Sequence, residues 1–206
     1  MKVEIKSIFD SQANADTLRK MSKLFAEGYV DPDNNYSCKI QNLNSKQHRE
    51  LCSEDIKNGN AFWIMVDDKK AGYVLAPEGH VNTTNPNDIL RYLDTRFLLP
   101  EYQGKGIGSI VLDQLIKYHN VTFTCLHYDQ VMEYQNYYAS KGFEIATVRA
   151  VFDPNFMPEL LMKQKNPHMF LIHKSDPEIE QVRQKYSHIN ITTGEWINPT
   201  PNLEAA

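Results

Sequence analysis

Nothing in this chain is apolar for long enough to cross a bilayer; no run approaches the roughly eighteen residues that a span needs. The stretch Met1-Lys2-Val3-Glu4-Ile5-Lys6 alternates like a strand and lacks the apolar core of a secretion signal. Cysteine is scarce: Cys38, Cys52 and Cys125 are odd in number and without metal-type spacing, which argues against a disulfide framework and for a reducing setting. The histidines show neither H-x-x-x-H nor H-E-x-x-H spacing, so no metal is expected. Positive charge is not in excess: 22 Lys and Arg against 26 Asp and Glu give −4. That balance argues against a nucleic-acid partner and favours a cationic one. The Asn-x-Thr triplets at Asn82, Asn120 and Asn190 are read as chance, and no internal repeat is seen. A cytoplasmic protein, binding neither membrane nor nucleic acid, is the expectation.

What is present is a length of 206 residues, 41% hydrophobic and 23% charged, enough for one domain with a core and an extension. Patterning predicts a strand at Val3–Phe9, a helix at Asp10–Gly28 and a second helix at Ser45–Lys57, stopped by Asn58-Gly59. A strand at Phe62–Val66 turns through Asp67–Lys70 into a returning strand, Ala71–Ala76. Pro77–Asp88 reads as a loop and Ile89–Leu99 as one strand. A helix to about His119 carries Ile107, Ile110, Val111, Leu115 and Tyr118 at helical period. Then come a strand at Val121–Leu126, a helix at Asp129–Lys141 closed by Gly142, a strand at Glu144–Phe152, a loop, and a last strand at Met169–His173.

Between the long strand and its helix lies Leu99-Pro100-Glu101-Tyr102-Gln103-Gly104-Lys105-Gly106-Ile107-Gly108, with three glycines in five residues. Glycine lets backbone N–H groups close round an anion with no Cβ in the way. The helix start behind it adds unpaired donors and the positive end of a dipole. Strand, glycine turn and helix together make a diphosphate cradle. The spacing is neither that of a P-loop nor G-x-G-x-x-G.

The pattern Gln103-x-x-Gly106-x-Gly108, with its flanks, resembles the acyl-CoA-binding motif of the GNAT superfamily of N-acetyltransferases. A second segment, Tyr138-Ala139-Ser140-Lys141-Gly142-Phe143, resembles that family's Tyr-x-x-x-Gly-Phe motif. The order of elements resembles the family over roughly residues 1–174, leaving an acidic extension, 175–206, partly helical or disordered. The resemblance implies an α+β fold of three layers, α/β/α, whose mixed and mostly antiparallel sheet contains a splayed strand pair. It implies acetyl-CoA as co-substrate, a small-molecule or peptide amine as acceptor, and direct attack in a ternary complex. The polar connection Tyr29–Asn44 would shape the acceptor pocket. A homodimer contact would be built from the tail and a late strand.

The resemblance also assigns roles. Backbone N–H groups of Gln103, Gly104, Lys105, Gly106, Ile107 and Gly108 would hold the diphosphate, with the Lys105 charge beside them. Backbone groups of Phe97, Leu98 and Leu99 would bond the pantetheine arm, and the Leu98 N–H would polarise the thioester. Tyr138, a phenol with a pKa of about 10, would protonate the leaving thiolate. The base is open between Asp94, His127 and water, with His80 a thinner candidate. Where the family places an Asn on the helix after residue 126, this chain has Val131, and Gln130 is the substitute. Cys125 reads as an inert thiol. The alternative function is a non-catalytic acyl-CoA-binding or protein-interaction domain of the same fold.

Overall fold

The computed structural model describes residues 1–9, 11–28, 45–81, 89–146, 168–177 and 179–180. They belong to two compact units, one of Met1–Val81 with Asp88–Val121 and another that takes in Thr122 onward. The first contains β1 (Val3–Ser7), α1 (Gln12–Gly28), α2 (Ser45–Lys57), β2 (Ala61–Val66), β3 (Lys69–Leu75), β4 (Glu78–Val81), β5 (Ile89–Leu93), β6 (Thr95–Leu98), a short 3-10 turn (Pro100–Tyr102) and α3 (Ile107–His119). No described helix is long and apolar enough to cross a membrane.

Four strands of this unit form an antiparallel sheet in the order β1-β2-β3-β6. Helix α1 starts where the Ser11 hydroxyl accepts the Asn14 N–H at 3.1 Å, a side-chain N-cap. The β2–β3 hairpin turns on Asp67 and Asp68, at φ 45 and 64. Positive φ at both central residues suits the twist of paired strands, so two residues suffice. Lys69 and Lys70, expected in the turn, are the first residues of β3.

Side chains alternate across the sheet. Ala61, Trp63, Tyr73 and Phe97 form one core with Leu18 and Met21 of α1 and Cys52 and Ile56 of α2. On the other face α3 packs, its Gln114 Nε2 donating to the Val3 carbonyl at 2.9 Å and its His119 ring 4.6 Å from that of Phe62. The buried stripe of α3 is Ile107, Val111, Leu112 and Leu115. Ile110 and Tyr118, expected in that stripe, are 38% and 65% exposed. The stripe is centred further round the helix than those two residues suggest, and Leu112 completes it.

Two further expectations are corrected. The loop expected over Pro77–Asp88 contains β4, which pairs antiparallel with β5. The strand expected over Ile89–Leu99 is two strands, broken at Asp94, whose N–H turns to the Leu75 carbonyl at 3.1 Å.

The second unit contains β7 (Val121–His127), α4 (Tyr128–Ser140), β8 (Phe143–Ala146) and β9 (His168–His173). β9 lies between β7 and β8, antiparallel to both. Gly142 ends α4 at φ +84, and a Cβ there would sit 2.9 Å from the His173 Nε2. Both facts require glycine. Of the expected strand Glu144–Phe152, Phe143–Ala146 is seen; residues 147–152, the loop at 153–166 and the tail beyond residue 180 lie outside the described residues. The tail begins with Ile179 buried and its N–H donating to the Asp176 carbonyl at 3.1 Å. Helices and antiparallel sheets together make the mixed α+β fold that was expected.

The tightest backbone approach holds β6 in place. A Cβ on Gly72 of β3 would fall 2.0 Å from the Phe97 carbonyl oxygen. Both groups are backbone, so neither can rotate away. Gly72→Ala should therefore lower stability by about 1–3 kcal/mol or more, read as a fall in the urea midpoint. An unchanged midpoint would mean that β3 and β6 are further apart than described.

Candidate functional site

β6 delivers the chain into an open turn. Leu99, extended at φ −57 and ψ 146 as a residue before proline should be, leads into Pro100. The Tyr102 N–H donates to the Leu99 carbonyl at 2.9 Å and the Gln103 N–H to the Pro100 carbonyl at 3.1 Å. The chain then takes left-handed conformations at Gly104 (φ +69) and Gly106 (φ +75), where nothing lies within 4 Å of a would-be Cβ. Here glycine is needed for its backbone freedom, since the space is empty. Gly106 caps α3 without any side-chain hydrogen bond.

The donors of this turn are left over. Among the described residues, no acceptor reaches the N–H groups of Gly104, Lys105, Gly106 or Ile107. The side chains nearby take carbonyls instead: Gln103 Nε2 donates to the Leu98 carbonyl at 2.8 Å, and Lys105 Nζ to the Glu101 carbonyl at 2.6 Å. Four successive amides at a helix N-terminus, with an ammonium alongside, suit a multiply charged anion.

The backbone of β6 is split by its pairing. The Leu99 N–H donates to the Ala71 carbonyl at 2.9 Å, so residues at 95, 97 and 99 turn their backbone groups to β3. Those at 96 and 98 turn theirs off the outer edge. Leu98 thus has an outward N–H, while both backbone groups of Leu99 already have partners within the chain. Of the three residues expected to bond a pantetheine arm, Leu98 is the one whose amide is presented. Phe97 places its ring in the α1–α2 core, 5.6 Å from that of Tyr73.

Asp94 is exposed, between buried Leu93 and Thr95, and its Oδ2 accepts the Thr95 hydroxyl at 3.0 Å. The Arg91 guanidinium is directed elsewhere, to the carbonyl of Ala76 at 2.8 Å and the side chain of Asn60 at 3.3 Å. Patterning gave no reason to single out Asp55 on α2. Its carboxyl is pushed up to about 6, first by burial and then by the charges of Asp94 and Glu54. Only a pairing distant in sequence reveals this residue, and nothing in its own segment signals it. Cys52, also on α2, is buried, with its thiol pushed up to about 12 by burial and then by Asp55, which makes it a poor nucleophile.

In the second unit, Tyr138 is 6% exposed, whereas Tyr134, four residues earlier on the same helical face, is 45% exposed. The Tyr138 ring stands edge-on to those of Tyr137, at 5.1 Å, and Phe143, at 5.6 Å. Gln130, His127, Cys125 and His80 sit on α4, β7, β7 and β4, but their side chains lie outside the described residues, as does the whole of 29–44.

Residues 58–145 match the family model described as an acetyltransferase (GNAT) domain. No curated protein matches the chain in sequence. Among solved structures, the chain is similar to the PaiA N-acetyltransferase of Thermoplasma acidophilum in complex with coenzyme A, at 16% identity over 84% of this chain and 99% of that one, with a TM-score of 0.52. It is also similar to an acetyltransferase of Thermus thermophilus, at 12% identity over 84% and 96%, with a TM-score of 0.50. At such identities the likeness is one of fold.

The raised Asp55 carboxyl has a consequence for stability. The folded chain holds this proton more tightly than the unfolded chain, whose value is the ordinary 3.8. The resulting stabilisation is complete below that value and is lost as pH rises through about 6. Asp55→Asn should therefore stabilise the protein at pH 8 by about 1–2 kcal/mol, reduced for solvent screening because the group is partly exposed, and should gain nothing below about pH 4. Urea unfolding at the two pH values measures this; equal gains at both would remove the electrostatic explanation.

Proposed function

We propose that this chain, whose residues 58–145 carry the GNAT acetyltransferase match, is a cytoplasmic N-acetyltransferase that moves an acetyl group from acetyl-CoA to a primary amine in a ternary complex. The observation that carries the reading is the run of amides at Gly104, Lys105, Gly106 and Ile107, unpartnered among the described residues, in a left-handed glycine turn. A diphosphate is the part of the co-substrate that such a turn fits. The Leu98 N–H, presented off the edge of β6, is where a thioester carbonyl would be polarised, as an oxyanion-type donor.

The residues then divide the proton work. An ammonium has a pKa of about 10 and must lose a proton before its nitrogen can attack. Asp94, exposed at the start of β6, takes that proton directly or through water. The nitrogen forms its bond to the acetyl carbon, the carbon–sulfur bond breaks, and the thiolate takes the hydroxyl proton of Tyr138. Burial of Tyr138 among aromatic rings, with Tyr134 exposed, supports choosing it. The net charge of −4 favours a cationic acceptor. Residues 1–174 would make up the catalytic domain and 175–206 its extension.

An amine panel with acetyl-CoA, read by thiol release, tests the activity; release with no amine in the panel would overturn it. Tyr138→Phe should slow turnover about ten- to a thousandfold with little change in the KM for acetyl-CoA. Unchanged turnover removes the acid assignment. The glycines provide a separate test. An alanine at position 106 must adopt φ +75, which costs about 1–2 kcal/mol or reshapes the turn, so Gly106→Ala should weaken acetyl-CoA binding about tenfold. Gly108→Ala meets nothing closer than the Arg96 Cζ, at 3.7 Å, and should bind as the parent does. Calorimetry distinguishes the two; equal losses would show that the left-handed turn is not the binding element.

A further inference from the structure

Arg96 projects from β6 to the face where α3 begins. It lies opposite Val74 in the sheet register, two residues before Leu98. Its Nη1 donates to the Gly108 carbonyl at 2.8 Å. Its Cζ, Nε and Nη2 lie 3.7, 3.8 and 4.0 Å from the Cβ position at Gly108, so the guanidinium rests flat against the first turn of α3.

The placement runs against the helix it touches. A cation near a helix N-terminus faces the positive end of the dipole and weakens the helix. The same cation reinforces that end once an anion binds there. Arg96 therefore fits a turn whose working state is anion-bound, and it fits poorly as a simple helix brace. The hydrogen bond also ties the first turn of α3 to the strand that presents the Leu98 amide, so one side chain links the anion-holding donors to the thioester-facing one.

We infer that Arg96 is a positioning residue for the diphosphate turn, fixing the start of α3 against β6 and adding positive charge behind the open amides. The inference rests on the reading of this turn as the acetyl-CoA site. It concerns binding of the diphosphate, not the chemistry at sulfur.

The test compares acetyl-CoA with S-acetylpantetheine, which has the same thioester arm and no diphosphate. Arg96→Gln, which keeps a donor and loses the charge, should raise the Kd for acetyl-CoA about five- to tenfold, less so in high salt, and leave kcat at saturation near that of the parent. The response to S-acetylpantetheine should not change. Arg96→Lys, which keeps the charge, should recover most of the loss. Equal weakening for both thioesters, or no rescue by lysine, would reduce Arg96 to a general structural role and overturn the inference. Acetyl-CoA binding by the parent with an unaltered Kd in Arg96→Gln overturns this inference alone. Failure of the parent chain to bind acetyl-CoA overturns the functional reading and this inference together.

Discussion

Four backbone amides at the mouth of α3, without acceptors among the described residues, are the constraint that the rest of the first unit serves. An N–H group buried without a partner would cost about 1–3 kcal/mol, and proteins rarely tolerate several in a row. Gly104, Lys105 and Gly106 are exposed, so water can reach their amides, while Ile107, the first residue of α3, is buried. The adjoining polar side chains bond here as donors to carbonyls, and a lysine ammonium has no acceptor to offer an amide. Gln103 reaches back to Leu98, and Lys105 to Glu101. Had the chain placed a serine or aspartate at the cap instead of Gly106, its side-chain oxygen would take an amide itself. A glycine cap takes none of them.

The position of those amides depends on β6, and β6 is held by two independent alternations. Its side chains alternate between the helix-pair core, where Phe97 is buried, and the α3 face, where Arg96 meets Gly108. Its backbone groups alternate between β3, through Leu99 and Ala71, and the outer edge, through Leu98. Both have a period of two, so a slip of one residue would reverse both at once. Close packing of Gly72 against the Phe97 carbonyl makes such a slip costly. The strand therefore keeps its register through β3 alone, on one of its two edges.

Local features were legible in the sequence to the extent that their causes are local. Helix α2 begins and ends where patterning put it, at Ser45 and Lys57, because Asn58-Gly59 stops it chemically. The left-handed role of Gly142 follows from its place after α4. The turn's left-handed backbone at Gly104 and Gly106 was legible because glycine is the residue that adopts it readily. Three features were not. The break at Asp94 arises from a hydrogen bond to Leu75, nineteen positions earlier in the chain. β4 exists because β5 offers it an edge, and its own residues, Glu78 to Val81, show no strand alternation. The buried stripe of α3 is set by the sheet beneath it, so Leu112 enters and Ile110 does not. Each miss reflects a contact with another segment that the residue pattern of its own segment does not encode.

Asp55 is the clearest case of that kind, and it changes how the proton acceptor must be judged. A carboxyl raised to about 6 binds a proton about a hundredfold more tightly than an ordinary aspartate at 3.8. Asp94 has the access, being exposed. The two are not independent, because the charge of Asp94 is part of what raises Asp55. In the proposed reaction, neutralising Asp94 removes the proton acceptor and at the same time lowers the basicity of Asp55. A rate lost at Asp94 therefore belongs to the pair, and the individual shares follow only from a double-mutant cycle with Asp55→Asn read across pH.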